Sequence, residues 1–408
     1  MNKIEILWIS RYAPVKSDCS AGGNTFRTYY NSFLNDKRFE VRLITTCNYQ
    51  LKNDVRKELE PTHVDFIYIG NPSDRLKKIV NIETKYNPYN RYAGFVSNLG
   101  IKRFTKIFSK YISEGYSPQI VILEWTERVV LASTIKMYFP NAKIVASEHD
   151  VTFIGYERKK EYFNGVKKLY WNEKYKNEKK KEIQALKICD LVLPHNPDNV
   201  DVLKNCGIAE DRICWLVPAY NDLSQCNRNS NGIDILFFGA MSRPENYLSA
   251  IWFIDNVMPL LKSDNYRFVI LGSRPPEELK KRECTKIVIT GFVESIVPYF
   301  EKSMCMVAPL VLGAGIKVKI IEALSSGIPV LTNEIGIEGI HAETGRDYLL
   351  CRTPEEYAEA IQKAANGKLD SIGENGRRFV STEFNLIFLF LVSQSFVYLY
   401  LIALDFPT

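Results

Sequence analysis

Short, compact apolar runs recur along this chain, separated by longer polar stretches, and the alternation starts twice. The first series is Ile4–Ile9, Val41–Thr45, Asp65–Ile69, Ile120–Glu124, Ile144–Ser147 and Leu191–Pro194. Runs of this kind suit strands buried on both faces of a parallel sheet. Segments such as Asn24–Asn35 and Arg128–Tyr138, lying between them, read as helices. Strand–helix alternation implies βαβ units and a doubly wound sheet.

Trp215–Tyr220 reads as one more strand, and Asn221–Gly232, rich in Asn and Ser, as a linker. The pattern then restarts with Ile233–Gly239, Arg267–Gly272, Lys286–Gly291, Cys305–Pro309 and Val330–Thr332. Helices fit Glu245–Leu261, Lys317–Ser326 and Pro354–Asn366. The 408 residues divide naturally at roughly 100–200 per domain. The expected organisation is a first α/β domain over 1–220, a linker over 221–232, a second α/β domain over 233–380 and an atypical tail over 381–408.

Composition removes several function classes. A net charge of +6 without a dominant basic block argues against a nucleic-acid partner. Nine cysteines include no C-x-x-C pair, so no zinc site is expected and the thiols suit a reducing compartment. The opening MNKIEILWIS is too short an apolar run for a secretion signal and reads as a strand, so a cytoplasmic enzyme is expected.

Two segments break the regularity. Gly165–Lys187 carries eight lysines interleaved with Leu169, Tyr170, Trp171 and Tyr175. It reads either as a solvated helix packing its aromatics on the domain or as a basic helix facing a membrane. Leu386–Leu404 has 16 apolar residues among its 19, near the length that spans a bilayer. Its Ser393-Gln394-Ser395 centre favours a peripheral tail over a true span. A membrane anchor, a packed helix and an altered reading frame remain the alternatives.

The richest chemical signal is APLVLGAGIKVKIIEALSSGIPVLTNEIG, Ala308–Gly336. A strand ends at Pro309 and a loop, Gly313-Ala314-Gly315, leads to a helix starting near Lys317. Glycines permit close backbone approach to a ligand. A helix N-terminus presents free N–H groups and partial positive charge to an anion. Lys317 and Lys319 oppose the helix dipole there, which an anion to be neutralised accounts for. Glu322 follows three residues later on the Lys319 face and can accept hydrogen bonds from a sugar diol.

This run resembles the donor-site signature of family 4 glycosyltransferases (glycosyltransferases group 1), in the branch reading G-x-G-x-K-x-K-x-x-E-A-L. Ser326-Gly327-Ile328-Pro329-Val330 and Ile335-Gly336-Ile337-Glu338-Gly339-Ile340 continue the likeness. The resemblance implies a GT-B fold, two Rossmann-like domains facing each other across a cleft that holds a nucleotide-sugar. Glu322 would hold the ribose; Gly313, Ala314, Gly315, Lys317 and Lys319 would hold the diphosphate. The first glutamate of the family's E-x7-E is replaced by Ala314. In FGAMSRPEN, Ala240 stands at the family's Arg position and Glu245 or Asn246 near its Lys position, leaving Gly239 and Arg243 as further donor contacts.

In the first half, SEHD at Ser147–Asp150 follows a strand, where α/β sheets bind ligands. The family's histidine at this place faces the sugar, which assigns His149, with Asp150 beside it, as catalytic and Glu148 as a weaker candidate. The Ala21-Gly22-Gly23-Asn24 turn resembles the family's P…GG loop near donor or acceptor, giving Gly22 and Gly23 as donor contacts. Glu124 and His195 also lie at strand ends.

The expected activity is hexosyl transfer from a nucleotide-sugar to a saccharide or lipid-linked hydroxyl acceptor. By resemblance it retains anomeric configuration and serves polysaccharide or glycolipid synthesis. Lysines and a helix N-terminus would stabilise the leaving group and no aspartate-rich metal motif occurs, so neither metal nor cofactor is expected. Peripheral membrane contact is compatible with it. The alternatives are a non-catalytic nucleotide-sugar-binding protein and an NAD-dependent oxidoreductase. The latter is disfavoured because no G-x-G-x-x-G follows Ile4–Ile9.

Overall fold

The computed structural model describes residues 3–15, 21–60, 62–70, 77–87, 89–228, 232–262, 265–313 and 315–384. Ala314 and the apolar run 386–404 lie outside the described residues. The chain divides into two compact units, one running to Ala219 and one beginning at Tyr220.

The strands of the first unit are β1 (Ile4–Ser10), β2 (Phe39–Asn48), β3 (His63–Ile69), β4 (Ile120–Glu124), β5 (Lys143–Glu148) and β6 (Leu191–Pro194). They form a parallel sheet in the order β3-β2-β1-β4-β5-β6. Its helices include α1 (Ala21–Asn35), α2 (Asn98–Ser113), α3 (Thr152–Tyr162) and α4 (Gly165–Leu186). Both sheet faces are covered, as the near-continuous apolar strands require. Leu7, Ile9, Val121, Leu123 and Ile144 pack on Phe104, Phe108 and Ile135 on one side. Ile6, Trp8, Leu43, Ile122 and Val145 meet Phe26, Tyr30 and Phe33 of α1 on the other.

The second unit repeats the plan with β7 (Asp234–Phe238), β8 (Arg267–Leu271), β9 (Ile287–Gly291), β10 (Ser303–Ala308), β11 (Val330–Thr332) and β12 (Leu349–Leu350). The order is β12-β11-β10-β7-β8-β9, again parallel. Its principal helices are α5 (Pro244–Asn256), α6 (Val318–Ser325), α7 (Pro354–Ala365) and α8 (Asp370–Glu383). Helix α7 begins with a capping box: the Thr353 hydroxyl accepts from the Glu356 N–H, and the Glu356 carboxylate accepts in return. Glycines let α8 lie close to the loop after α6, since a Cβ on Gly373 would sit 2.2 Å from the Gly327 carbonyl oxygen.

Two expectations fail. Trp215–Tyr220 forms no strand; Ile213 makes one isolated bridge to Val192 and the chain then runs irregularly. Pro218 supplies no N–H to extend a ladder. The single helix read over Arg128–Tyr138 is two, Thr126–Val129 and Ala132–Tyr138. The Asn- and Ser-rich segment after Tyr220 packs against the second unit, where Leu223 and Cys226 are buried. The Leu223 N–H donates to the Ser325 hydroxyl at 3.0 Å.

Candidate functional site

Parallel strands place their C-terminal ends along one edge of a sheet. In the first unit β4, β5 and β6 are neighbours, with Glu124 opposite Ser147 and Glu148 opposite Pro194. Residues far apart in sequence therefore meet just beyond these ends. Glu124 is fully buried, and its Oε2 accepts from the Trp8 indole at 2.8 Å. Its Oε1 accepts from the Ser147 hydroxyl at 2.8 Å and from His149 Nε2 at 2.7 Å. His195 Nε2 reaches the same Ser147 hydroxyl at 3.1 Å.

The network sets the tautomers. Because Ser147 donates to the carboxylate, His195 donates through Nε2, and its buried Nδ1 is left without a partner. His149 also donates through Nε2, which leaves Nδ1 as an acceptor. That nitrogen faces the start of α1: a Cβ added at Gly22 would lie 3.3 Å from it. Gly22 and His149, singled out separately in the sequence, thus come together, with Gly23 next to them in the same turn. Burial lowers the His149 pKa to about 3, and burial together with the neighbouring His149 also holds His195 well below the usual imidazole range. Both rings are neutral at physiological pH. Burial raises the Glu124 pKa, opposed by His195 and by its hydrogen bonds.

Trp125 was not singled out from sequence. It stacks on His149 with centroids 4.4 Å apart and planes 11° from parallel. Its backbone has φ 68° and ψ 150°, a region that is almost exclusively glycine's. A bulky side chain held there costs roughly 1–3 kcal/mol, and such strain concentrates at functional sites. Only an indole's position, not its backbone angle, is legible in a sequence.

Glu148 and Asp150 take a different direction. Glu148 accepts from the Thr126 hydroxyl at 2.6 Å and is buried with Glu178 and Glu182. Glu182 caps α3 by accepting from the Thr152 and Phe153 N–H groups at 2.9 and 3.0 Å. Burial raises the pKa of all three, that of Glu182 to about 8. Asp150 acts electrostatically on Glu148 and Glu182.

Glu124, His149 and His195 each offer a ligand atom within 4.8 Å of the others, a donor set that suits zinc. The hydrogen bonds of the Glu124 carboxylate account for the same proximity without an ion.

In the second unit a separate group forms around the glycine loop and α6. Gly313 and Gly315 have φ of 141° and 72°, conformations a side chain resists. Lys317 caps α6, with its ammonium donating to the Gly315 carbonyl and lying 3.3 Å from Glu338 Oε2. Glu338 belongs to the IGIEGI stretch, so two motif segments meet at this lysine. Lys319 is largely buried, 2.8 Å from Asn246 Oδ1 and 4.9 Å above the Phe237 ring. Burial, Arg243 and Lys317 lower its pKa to about 7.

Asn246 explains the divergent FGAMSRPEN segment. Its Nδ2 donates to the Ala240 carbonyl at 2.9 Å while its Oδ1 receives Lys319. A Cβ on Gly239 would sit 2.9 Å from the Asn246 amide, so Gly239 makes room for that amide. Arg243 is different: its side chain is 64% exposed and 3.6 Å from Glu245. Glu322 is 6% exposed, and burial raises its pKa to about 7. Its Oε1 accepts from the Asn221 backbone N–H at 3.0 Å and side-chain amide at 2.7 Å. Asn221 was read as linker; no periodicity or motif marks it.

Residues 232–366 match the family model Glycosyl transferases group 1. A protein from Klebsiella pneumoniae, described as an uncharacterised 44.6 kDa protein in the cps region, is 24% identical over 166 residues. That match spans 37% of this chain and 43% of the relative, under half the relative's length. Whole-chain likeness appears among solved structures. A sucrose-phosphate synthase from Thermosynechococcus elongatus has a TM-score of 0.70 at 16% identity, covering 99% of this chain and 100% of that one. Anabaena Alr3699/HepE in complex with UDP and glucose has a TM-score of 0.66 at 12% identity, covering 97% and 99%. The fold is therefore the two-domain α/β GT-B fold of these structures.

Proposed function

We propose that this chain transfers a sugar from a nucleotide-sugar to a hydroxyl acceptor with retention of anomeric configuration, in the synthesis of a cell-surface polysaccharide or glycolipid. The observation that carries the reading is the group formed by Gly313–Gly315, Lys317, Lys319 and Glu322 at the start of α6, within the matched residues 232–366. The UDP and glucose bound in the HepE structure and the cps-region origin of the Klebsiella relative support the substrate class and the pathway class.

In this reading α6 and the glycine loop hold the diphosphate. As the anomeric carbon–oxygen bond to phosphate breaks, negative charge grows on the leaving diphosphate. Lys319 and Lys317 stabilise it with donors already in place, which avoids reorganisation at the moment of reaction. Glu322, fixed by Asn221, accepts from the ribose hydroxyls. The acceptor oxygen forms the new bond to the anomeric carbon, and its proton passes to the departing phosphate. His149, neutral and oriented by Glu124, offers Nδ1 on the first unit as an acceptor for a sugar hydroxyl.

The test is a thermal-shift panel of nucleotide-sugars followed by an assay for released nucleoside diphosphate. A donor that binds only the native state at 100 times its dissociation constant adds about 2.7 kcal/mol of stability. One family of nucleotides should stabilise the protein and be consumed when acceptor is present. Stabilisation by no nucleotide-sugar overturns the reading; binding without turnover favours a non-catalytic binding protein instead.

A further inference from the structure

Several exposed apolar side chains of the first unit lie around the start of α4. Val166 and Leu169 are 82% and 67% exposed on one face of α4. Beside them lies the segment after β3, with Ile82, Tyr86 and Tyr89 at 62%, 72% and 69% exposure. Two bonds fix this neighbourhood: the Tyr170 hydroxyl donates to the Lys85 carbonyl at 2.7 Å, and the Tyr89 hydroxyl to Glu173 Oε2 at 3.2 Å. The patch is therefore preformed.

Charge surrounds it. Residues 157–187 hold eleven Lys and Arg against five Glu, a net +6 equal to that of the whole chain. Lys85, Lys167 and Lys168 are exposed in the patch itself. The acids nearby are engaged locally. Glu173 pairs with Lys176 at 2.9 Å, and Glu83 accepts from the Asn98 N–H at 2.9 Å. Glu178 and Glu182 are buried and resist ionisation.

We propose that this patch, Ile82, Tyr86, Tyr89, Val166 and Leu169 with Lys85, Lys167 and Lys168, docks the first unit onto an anionic lipid bilayer. Apolar side chains standing singly among lysines match the depth profile of an interface, where apolar groups enter the acyl boundary and ammonium groups stay with the headgroups. Tyrosines suit that level because one end of the ring is apolar and the other wet. Lysines near an anionic surface each add to the attraction. A folded protein partner would call for a continuous apolar face depleted of lysine, the reverse of this composition. The docking does not depend on the sugar-transfer reading.

The experiment is co-sedimentation of the full chain with vesicles of phosphatidylcholine and phosphatidylglycerol in equal parts, against phosphatidylcholine alone. The chain should sediment with the anionic vesicles only and be released by high salt, which screens exposed charges. Lys167→Glu with Lys168→Glu should lower the partition coefficient more than about tenfold. Val166→Ser with Leu169→Ser should lower it about tenfold. All four side chains are exposed, so the thermal midpoint should stay at the parent's value. Tyr86→Ser, on the other segment, gives a second, independent loss. No binding to anionic vesicles overturns the proposal, as does equal binding to neutral ones. Binding retained by both paired variants overturns it equally.

Discussion

The glycine-loop and lysine group of the second unit is written almost in one stretch of chain, whereas the cluster of the first unit is assembled from four. Gly313 to Glu322 is ten consecutive positions of loop and helix. Trp8, Glu124, Ser147, His149 and His195 come from four strand ends and the residues just past them. The contrast has a chemical side as well. The second site offers positive charge to an anion, with lysines held by Asn246, Gly315 and Glu338. The first is buried and near neutral, built to hold imidazole rings without protonating them. One is suited to binding charge, the other to holding neutral imidazoles in fixed orientations.

The sharpest way to break this contrast is to separate binding from turnover. His149→Ala should lower turnover by roughly 100-fold or more, the range of a positioned polar group acting on the reacting centre, while donor affinity changes little. Steady-state kinetics beside calorimetric donor binding checks it. Wild-type turnover would make His149 structural. Glu124→Gln should reproduce part of the loss, because the amide can offer either an acceptor or a donor to Nε2 and no longer dictates the tautomer.

Glu322→Ala should do the opposite and weaken donor binding by about 10- to 100-fold, since a charge-assisted hydrogen bond is worth roughly 1.5–3 kcal/mol. The structure adds a cost to the fold, because Asn221 loses the acceptor of two hydrogen bonds. Unchanged affinity by calorimetry would remove Glu322 from the donor site. Asn221→Ala, which spares the carboxylate, should show how much of the loss is positional.

How much of this was legible follows from where the information lies. Eleven of the twelve strands were readable because buried parallel strands are near-continuous apolar runs, and most bounds fall within two residues of expectation, whereas β12, only Leu349–Leu350, is too short to leave such a run. Gly313, Gly315, Lys317, Lys319 and Glu322 were readable because a loop and the helix after it keep contiguous residues contiguous in space. Trp125, Asn221 and Asn246 were not. Their roles depend on a backbone angle, a return of the chain against α6, and the Asn246 hydrogen bond with Lys319, far along the chain. Glu148 was grouped with His149 as its neighbour in sequence, yet strand residues alternate faces, and it joins Glu178 and Glu182 instead.

The two lysines offer a finer test. Lys319→Met should weaken nucleoside-diphosphate binding about tenfold, the size of one charge-assisted bond at the lower end of its range. Lys317→Met should cost less, because its ammonium is already shared with the Gly315 carbonyl and Glu338. Asn246→Ala should resemble a mild Lys319 variant, since it removes the partner that aims the ammonium. Equal losses for the two lysines, read as dissociation constants, would mean that α6 does not sort them by face.

The smallest expected effect is in the pH dependence of donor binding, and its sign follows from the two shifted groups. In the free protein Lys319 has its pKa lowered to about 7 by burial, Arg243 and Lys317. A diphosphate beside it favours the charged ammonium and raises that pKa, so binding takes up a proton. Affinity is then fullest below pH 7 and declines as pH rises through the free-protein value, by about fivefold between pH 7 and 8 for a single coupled site. Glu322 works in the other direction. Its pKa is raised to about 7 by burial, opposed by the Asn221 hydrogen bonds. Ribose hydroxyls favour the carboxylate, so binding releases a proton and affinity declines as pH falls below 7. The two limbs give a maximum near neutrality with an intact nucleotide-sugar, whose diphosphate carries no ionisation of its own in this range. Calorimetry in buffers of different ionisation enthalpy should detect net proton uptake above pH 7. Lys319→Met should flatten the alkaline limb alone and Glu322→Gln the acid limb alone. A profile that neither substitution alters would show that these two buried groups do not contact the donor, and the second unit would lose the charge-binding character that sets it apart from the first.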